Sequence, residues 1–351
     1  MNSNIEWIKD LNCLTDLHVH LDGSLSYETV KYLARLQKID IDDNGELKNI
    51  LSVEPDCRDL NEYLQKFEFP LKLLQTREAI RYAVSELIRE QEQQGIIYSE
   101  IRFAPQLHTQ KGLTQKEVVE AACMGIDDSR KYWRMYSDHN LILCCMRGKD
   151  NESLNYETVN VAKRYVGKGN GAVVAVDLAG AEGLYPTNMF SGIFRELYLS
   201  GIPFTIHAGE AAGVESMKYA LDFGAKRIGH GIRSVESDDM VEYLVKNDIY
   251  LELCPTSNLN TKIYQRIEDY PVTELIERGV KVTVNTDNMT VSDTNEAKEI
   301  ALLADTFNLG KRSIRQLVMN SIEASFTDES IKNRLRAIAE MEFAQVMGVR
   351  G

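Results

Sequence analysis

The chain has 351 residues, which corresponds to two average domains or to one large α/β barrel. Hydrophobic residues make up 44% of it and charged residues 26%, a composition that excludes a disordered chain. The 40 basic and 53 acidic residues give a net charge of −13, and such a surface repels phosphate backbones and anionic lipids. We therefore expect neither a nucleic-acid partner nor a membrane partner.

The cysteines and the N-terminal segment indicate the cellular compartment. The six cysteines lie far apart or directly adjacent, without a C-x-x-C pair, which is typical of reduced thiols rather than of a disulfide framework. The first residues include Glu6 and Asp10 and lack a basic stretch followed by an apolar run, so no signal peptide is predicted. The sequence predicts a cytoplasmic protein.

Eight strand-like apolar runs follow one another along the chain, and helical patterns separate them. Several are apolar on both faces, as in a parallel sheet covered by helices. The runs are Thr15–Val19, Ile96–Ala104, Asn140–Met146, Ala172–Leu178, Ile202–His207, Arg227–Gly229, Ile249–Cys254 and Val280–Asn285. Helices are predicted at Gln115–Arg130, Asn188–Ser200 and Asp238–Asn247. This alternation favours the α/β class and a closed (β/α)8 TIM barrel, although the count alone leaves an open doubly wound sheet as an alternative.

Two segments exceed the bare barrel pattern. The stretch between the first and second runs is long enough for several inserted helices, and the residues after Asn285 read as a helical C-terminal extension. The insertion carries an i, i+3, i+4, i+7 stripe of Leu60, Tyr63, Leu64 and Phe67, which forms a lid over a site or merely packs on the barrel. No linker is evident, so residues 1–351 are predicted to form a single domain.

Four of the six histidines lie at or just past the end of a strand-like run: His18, His20, His207 and His230. In a barrel, these strand ends form the face on which active sites are built. His18 and His20 form an H-x-H pair whose side chains project to the same side of a strand and can share a metal ion. A hydrogen-bonded pair of core histidines is an equally good interpretation of that motif alone.

Further polar residues extend this set. His207 lies in FTIHAGE with Glu210 three residues later, and Asp287 follows the eighth run. Three imidazoles and one carboxylate suit a zinc ion with room for a water molecule, whose pKa the ion lowers to about 7. His230 is then either a fourth nitrogen ligand or a base that orients the water, and Glu210 suits a proton carrier. Taken singly, Glu210 could be a solvated helix-terminal carboxylate and Asp287 a helix cap.

The two other histidines are not expected to be ligands. His108 lies four residues beyond the second run and is assigned a structural or surface role. His139 lies in the polar stretch SDHN and is predicted to face solvent.

Competing catalytic motifs are absent. The chain contains no H-E-x-x-H, Walker or G-x-S-x-G motif, and CPTSN at Cys254 lacks the second cysteine of a cytidine-deaminase zinc site. The fourth run has no lysine at its end to bridge two metals, which favours one ion.

The motifs, in this order and spacing, resemble the adenosine deaminase family over nearly the whole chain: LHVHLDGSL, SEIRFAPQLH, DLAGAE, HAGE, RIGHG, CPTSN and NTDN. The resemblance implies a (β/α)8 barrel with one Zn²⁺ that hydrolyses adenosine, and 2′-deoxyadenosine, to inosine or deoxyinosine and ammonia in purine salvage. The alternatives are a relative that deaminates adenine or another aminopurine at the same zinc site, and a zinc-stabilised binding protein that has lost catalysis.

The resemblance also implies a role for each residue of the site. The metal ligands implied are His18, His20, His207 and Asp287. The catalytic residues implied are Glu210 as proton donor and His230 as the residue that positions and activates the water. The substrate contacts implied are His20, Asp22, Gly180 and Asn288. The expected partner is a small purine nucleoside, and a homo-oligomer is left open.

One position departs from the family's pattern. The family commonly has two consecutive aspartates followed by proline, whereas Asp287 is followed here by Asn288 and Met289. The second aspartate faces the imidazole nitrogen of the purine, to which a carboxyl group donates only when protonated, whereas an amide donates at any pH. We expect activity to persist with altered purine selectivity. Relatives that act on free adenine tend to carry glutamate at Asp22, and the shorter aspartate leaves room for a ribose.

Overall fold

Eight parallel strands form the frame of the molecule in the computed structural model, which describes residues 5–41, 46–54, 57–58, 60–132, 137–168 and 171–348. Hydrogen bonds order the strands β1-β2-β3-β4 and β5-β6-β7-β8. The strands are β1 (Leu14–His20), β2 (Ile96–Phe103), β3 (Asp138–Met146), β4 (Val173–Ala179), β5 (His207–Ala208), β6 (Arg227–His230), β7 (Tyr250–Leu253) and β8 (Lys281–Val284).

Two bridges join these halves into a closed barrel. Val176 in β4 pairs with Phe204 just before β5. At the other seam Asp287, beyond β8, pairs with the end of β1: its N–H donates to the His18 carbonyl and its carbonyl accepts from the His20 N–H, both at 2.7 Å. The prediction of a closed barrel is therefore confirmed, and the open sheet is excluded.

Fifteen α-helices occur in the described residues, and most follow a strand. They are α1 (Tyr27–Leu36), α2 (Glu46–Leu51), α3 (Leu60–Gln65), α4 (Glu68–Leu73), α5 (Arg77–Gln93), α6 (Gln115–Tyr132), α7 (Glu152–Tyr165), α8 (Ser191–Leu199), α9 (Val214–Asp222), α10 (Asp238–Lys246), α11 (Pro255–Asn260), α12 (Val272–Glu277), α13 (Glu296–Phe307), α14 (Lys311–Ala324) and α15 (Glu329–Met347). Short 3₁₀ helices cover Glu6–Asp10, Pro105–His108, Thr187–Phe190, Ile232–Glu236 and Ile267–Asp269.

The inserted and C-terminal helices lie where the sequence predicts them. Helices α1 to α5 separate β1 from β2, and α13 to α15 follow β8. Capping residues fix where several helices begin: the side chains of Thr76, Ser237 and Asn295 accept backbone N–H groups at the starts of α5, α10 and α13. Helix α14 packs on β8 and β1, and the Asn320 side chain donates to the Val282 carbonyl at 2.9 Å.

The fifth strand is shorter than predicted. Only His207–Ala208 is assigned as strand, whereas the predicted run began at Ile202. Pro203 has no N–H to donate to a neighbouring strand. The segment before β5 therefore bonds to β4 only at Val176, whose N–H donates to the Pro203 carbonyl and whose carbonyl accepts from the Thr205 N–H.

The prediction that His139 faces solvent is wrong. The residue lies in β3 and is only 3% exposed, and its Nδ1 is 2.7 Å from the Ser99 hydroxyl of β2. The polar letters SDHN misled because His139 is buried on the helix-facing side of the sheet, where its Nε2 lies 3.6 Å from Glu92 of α5.

The apolar core lies between the strands and the surrounding helices, and one cluster of buried side chains runs from the first 3₁₀ helix to α15. Within the described residues, no helix combines the length and apolarity needed to cross a bilayer.

Candidate active site

Four predicted ligands meet at the carboxyl-terminal mouth of the barrel. The Nε2 atoms of His20 and His207 are 3.3 Å apart, and Asp287 Oδ1 lies 3.4 Å from His20 Nε2 and 3.5 Å from His18 Nε2. The four potential ligand atoms all lie within 4.8 Å of one another. β1 contributes two of them because alternate residues of a strand face the same side, and the ends of β5 and β8 contribute the others.

These distances fit a bound metal ion. Ligand atoms that sit about 2.0–2.2 Å from a common zinc ion in tetrahedral geometry lie roughly 3.3–3.6 Å from one another. The buried His18 Nε2 has no hydrogen-bond partner among the described residues, which is the condition of a nitrogen reserved for another ligand. The donor set could therefore hold a divalent cation.

The protonation states also suit a metal ion. Burial lowers the pKa of His18 to about 4, and burial likewise lowers the pKa of His20 well below its usual value. Burial alone would raise the pKa of Asp287, but the close contact with His18 and the nearby imidazoles hold it below its usual range. Neutral imidazoles and ionised carboxylates are the forms that coordinate metals, and the pKa shifts of His18, His20 and Asp287 favour these forms.

Two carboxylates that the sequence reasoning missed orient the histidines. Glu252 Oε2 in β7 accepts from His18 Nδ1 at 2.7 Å, and Asp177 Oδ2 in β4 lies 2.9 Å from His207 Nδ1. Each contact leaves the Nε2 atom of the ring for a ligand. Burial disfavours the charged form of His207, but Asp177 outweighs burial and raises its pKa. Both carboxylates lie within apolar strand-like runs, and this signal could have identified them.

A chain of buried ion pairs supports these carboxylates inside the barrel. Arg102 Nη1 is 3.0 Å from Asp177, and Arg102 Nη2 is 2.9 Å from Glu252. Arg227 contacts Glu252 and Glu100, each at 2.6 Å. None of these side chains is more than 1% exposed, so each charge depends on its partners.

Glu210 lies beside this cluster on the turn after β5. Its Oε2 is 3.7 Å from His230 Nε2, and burial raises the pKa of its carboxyl group. A third residue missed from the sequence, Glu182, holds the turn: its carboxylate accepts the backbone N–H groups of four successive residues, Gly209 to Ala212, at 2.8–3.1 Å. This arrangement presents the Glu210 carboxyl group, with its raised pKa, to the mouth of the barrel.

His230 ends β6 in an uncommon backbone conformation. Its φ is +59°, and the φ of Asp287 is also +59°, in the left-handed region that costs energy for residues other than glycine. The Asn258 side chain contacts His230 Nδ1 at 3.2 Å. Gly229 makes room for the neighbouring ring, since a Cβ there would lie 3.2 Å from His18 Cε1.

A second group of possible ligands overlaps the first and consists of His18, His230, Cys254 and Asp287. Burial raises the pKa of the Cys254 thiol well above its usual value, and its Sγ donates to the Glu252 carbonyl at 3.5 Å. Because metals bind the thiolate, this group suits a metal less well than the set with His20 and His207.

The cluster forms the floor of a pocket with a volume of about 240 Å³. Its lining includes the predicted substrate residues Asp22, Gly180 and Asn288. Asp22 Oδ1 and Asn288 Oδ1 are buried without a partner among the described residues, and burial raises the pKa of Asp22 to about 6. Gly180 has a φ of +100°, which disfavours a side chain and leaves its backbone at the pocket wall.

The predicted stripe of the insertion borders this pocket. Tyr63, Leu64 and Phe67 line it together with Leu71, while the side chain of Leu60 lies outside the described part of the structure. These residues form an apolar wall opposite the polar floor.

The two other histidines lie apart from this site. His108 is buried in a 3₁₀ helix, where Nδ1 is 3.0 Å from the Leu74 carbonyl, in keeping with the structural role predicted for it. His139 lies near the start of β3, whereas the site is built on strand ends.

Sequence comparison identifies the relatives of this barrel. The adenosine deaminase family profile matches residues 13–340. An adenosine deaminase from Haemophilus ducreyi is 47% identical over 334 residues, which cover 95% of this chain and 97% of that protein. The chain belongs to the adenosine deaminase family. The family prediction is thus confirmed.

Solved structures with the same fold include more distant deaminases. An adenine deaminase from Arthrobacter aurescens superposes with a TM-score of 0.84 at 23% identity, covering 96% of this chain and all of that one (100%). A zinc-bound amidohydrolase from Burkholderia ambifaria gives a TM-score of 0.86 at 18% identity over 99% of this chain and 94% of that one. At these identities the comparison establishes the fold, which is the barrel described above.

Proposed function

We propose that this member of the adenosine deaminase family hydrolyses adenosine, and 2′-deoxyadenosine, to inosine or deoxyinosine and ammonia at one zinc ion, in purine salvage. The adenosine deaminase that is 47% identical over 95% of the chain supports the activity. The observation that carries the proposal is the convergence of four potential metal ligands with a buried carboxyl group of raised pKa, Glu210, at one pocket.

The metal ligands of the proposal are His18, His20, His207 and Asp287, whose spacing suits a divalent cation. Nitrogen and carboxylate donors in a compact set are typical of zinc. When bound, zinc acts as a Lewis acid that lowers the pKa of a water molecule to about 7.

Glu210 is the general acid. Attack at the carbon that bears the amine destroys the aromaticity of the purine. A proton on the adjacent ring nitrogen, N1, stabilises the negative charge that the attack brings into the ring. A carboxylic acid with a raised pKa keeps that proton to higher pH and can deliver it. The turn held by Glu182 keeps the acid in place.

His230 handles the proton of the attacking water. Its Nε2 atom faces Glu210, while Nδ1 contacts the Asn258 amide, which fixes the ring. The imidazole can take a proton as the water attacks and stabilise the developing charge as a cation. A further proton transfer lets the amine leave as ammonia.

The pocket residues recognise the rest of the nucleoside. The Asp22 carboxylate accepts from a ribose hydroxyl, the Gly180 backbone approaches the purine, and His20 borders the substrate as well as the metal. Glu210 follows β5 and Asn288 follows β8, so the two side chains reach the pocket from opposite sides of the mouth. In the purine, N1 and N7 also lie on opposite sides of the reacting carbon. If Glu210 faces N1, the Asn288 amide can therefore donate to N7.

The experiment combines metal analysis of the purified protein with ultraviolet monitoring of adenosine. We expect one zinc ion per chain, loss of the adenosine spectrum and equimolar ammonia. Ammonia release from deoxyadenosine and from adenine, measured in parallel, distinguishes a nucleoside deaminase from the alternative that acts on the free base. A protein that releases ammonia faster from adenine, or from neither substrate, contradicts the proposal.

A further inference from the structure

The inserted helices are tied to the loop that follows β8. The Val53 N–H donates to the Val291 carbonyl at 2.9 Å, and the Ser52 hydroxyl donates to the Thr290 carbonyl at 2.7 Å. This loop begins with Asp287 and Asn288, so the insertion is bonded to the segment that carries two of the proposed site residues.

Tyr63 makes the contact that reaches the pocket itself. Its ring lines the pocket, it is only 2% exposed, and its hydroxyl lies 2.8 Å from the Ser292 hydroxyl. Asn288 and Ser257 lie near the phenol oxygen and oppose the rise in pKa that burial causes in Tyr63. The Ser292 N–H donates to the Asn288 carbonyl at 3.0 Å, so the residue that Tyr63 contacts is itself bonded to Asn288.

The orientation of the Asn288 amide needs such a partner. Its Oδ1 has no hydrogen-bond partner among the described residues, and it lies against Gly23, where an added Cβ would come within 1.9 Å of it. A terminal amide can present either its oxygen or its nitrogen to a ligand by turning over. Only the orientation with the nitrogen at the pocket can donate to an acceptor on the purine.

The donors and acceptors of Asn288, Tyr63 and Ser292 can be matched in one direction. An amide NH₂ group has two hydrogens, a phenol can accept one and donate its own, and a serine hydroxyl can accept. If Asn288 gives one N–H to Tyr63 and Tyr63 gives its O–H to Ser292, the second N–H of Asn288 remains for the ligand. The reverse amide orientation would face the phenol with an oxygen and compete with Ser292 for the same hydrogen.

We propose that Tyr63 is a positioning residue that fixes the Asn288 amide with an N–H directed at the purine N7, so that the inserted segment takes part in purine recognition. This inference rests on the proposed function, since it assumes a purine nucleoside in the pocket.

The test uses two binding probes that differ at one atom. Inosine carries N7, whereas 7-deazainosine has a C–H there and cannot accept a hydrogen bond. Dissociation constants of both are measured by titration calorimetry on the metal-loaded full chain and on Tyr63→Phe, which removes only the hydroxyl. Ser292→Ala removes the partner of that hydroxyl. Tyr27→Phe is the matched control, because the Tyr27 hydroxyl lies 2.8 Å from Ser52 in the same insertion but Tyr27 does not line the pocket.

We expect Tyr63→Phe to weaken inosine binding about fivefold and 7-deazainosine binding by less than about twofold, with Ser292→Ala following the same pattern and Tyr27→Phe changing neither. If Tyr63→Phe weakens the binding of both probes equally, Tyr63 only contributes to the pocket lining. If inosine binding is unchanged, the Tyr63 hydroxyl has no role in binding. Either result overturns the inference. If the unsubstituted protein releases no ammonia from adenosine, the proposed function fails instead, which separates the two failures.

Discussion

Glu210, the general acid of the proposal, shows how burial suits a single residue to acid catalysis. The residue is 6% exposed, and desolvation raises the pKa of its carboxyl group. A glutamate on the surface would lose its proton at lower pH.

Replacing Glu210 by glutamine should therefore abolish most of the deaminase activity. We expect Glu210→Gln to lower kcat for adenosine by about 10² to 10⁴, because the amide cannot donate a catalytic proton, while the metal content is unchanged. Stopped assays with high enzyme concentration and metal analysis provide the measurement. The exposed Glu215→Gln is the control, and a Glu210 variant with more than a tenth of the original kcat would rule out this role.

Asp22 should affect nucleosides and free bases differently. We expect Asp22→Ala to raise the KM for adenosine at least about tenfold, because the ribose hydroxyl loses its acceptor, and to leave the weak turnover of adenine nearly unchanged. Steady-state kinetics with both substrates give the comparison. An equal loss with adenine would show that Asp22 supports the site in general rather than the sugar.

Asn288 should keep the enzyme active although its family relatives commonly carry aspartate. We expect Asn288→Asp to change turnover by less than about a hundredfold and to make the KM for adenosine rise with pH, because only a protonated carboxyl group can donate to N7. The unsubstituted protein is the control, with a KM that lacks this dependence. A rise in turnover of more than a hundredfold in the variant would show that the asparagine is harmful.

At the scale of the elements, the proposed ligands on one strand are supported by side chains from other strands. β1 provides His18 and His20, whereas the carboxylate that orients His18 comes from β7 and the one that orients His207 comes from β4. Because alternate residues of a barrel strand point inward, a ligand and its support can lie in different layers of the same interior. The site is thus shared by the whole barrel rather than by neighbouring loops.

Glu252 in β7 tests this coupling between strands. We expect Glu252→Gln to weaken metal binding about 10- to 100-fold, since a neutral amide oxygen is a weaker acceptor for the Nδ1 proton of His18 than a carboxylate. The variant should also lose roughly 3–5 kcal/mol of unfolding free energy, because Arg102 and Arg227 keep buried charges without this partner.

Competition with a fluorescent chelator and urea denaturation measure the two effects of this substitution. The exposed Glu277→Gln serves as the control for removing a carboxylate. Metal affinity within a factor of two of the original would contradict the orienting role of Glu252.

At the scale of the whole molecule, helix α13 carries a buried carboxyl group, that of Glu299, whose protonation affects the stability of the fold. Glu299 accepts from the Thr256 N–H at 3.0 Å and from the Thr294 hydroxyl, and burial raises its pKa to about 7. The folded protein then keeps a proton that the unfolded chain, with an ordinary glutamate pKa near 4.5, has already released. This group stabilises the fold less as pH rises from about 4.5 to about 7.

The pH dependence of stability should reveal this group. We expect the unfolding free energy of Glu299→Gln to improve relative to the unsubstituted protein as pH rises from 5 to 8, by an amount of the order of 2 to 3 kcal/mol. Urea denaturation at a series of pH values measures it. Asp305→Asn, on the exposed side of the same helix, is the control and should show no such trend. If the stability of Glu299→Gln and that of the unsubstituted protein change in parallel with pH, the assignment is wrong.

The sequence by itself determined the eight strands and the candidate site residues. Apolar runs of the right length predict eight buried strands, and histidines at strand ends predict the candidate metal ligands, because both depend on positions within single segments. Tertiary structure alone decided the supports: Asp177, Glu252 and Glu182 find their partners across the barrel, His139 becomes buried, and the Tyr63 hydroxyl meets Ser292. These contacts join residues far apart in the chain, and the pairing of the strands and their closure at the β4–β5 and β8–β1 seams bring them together.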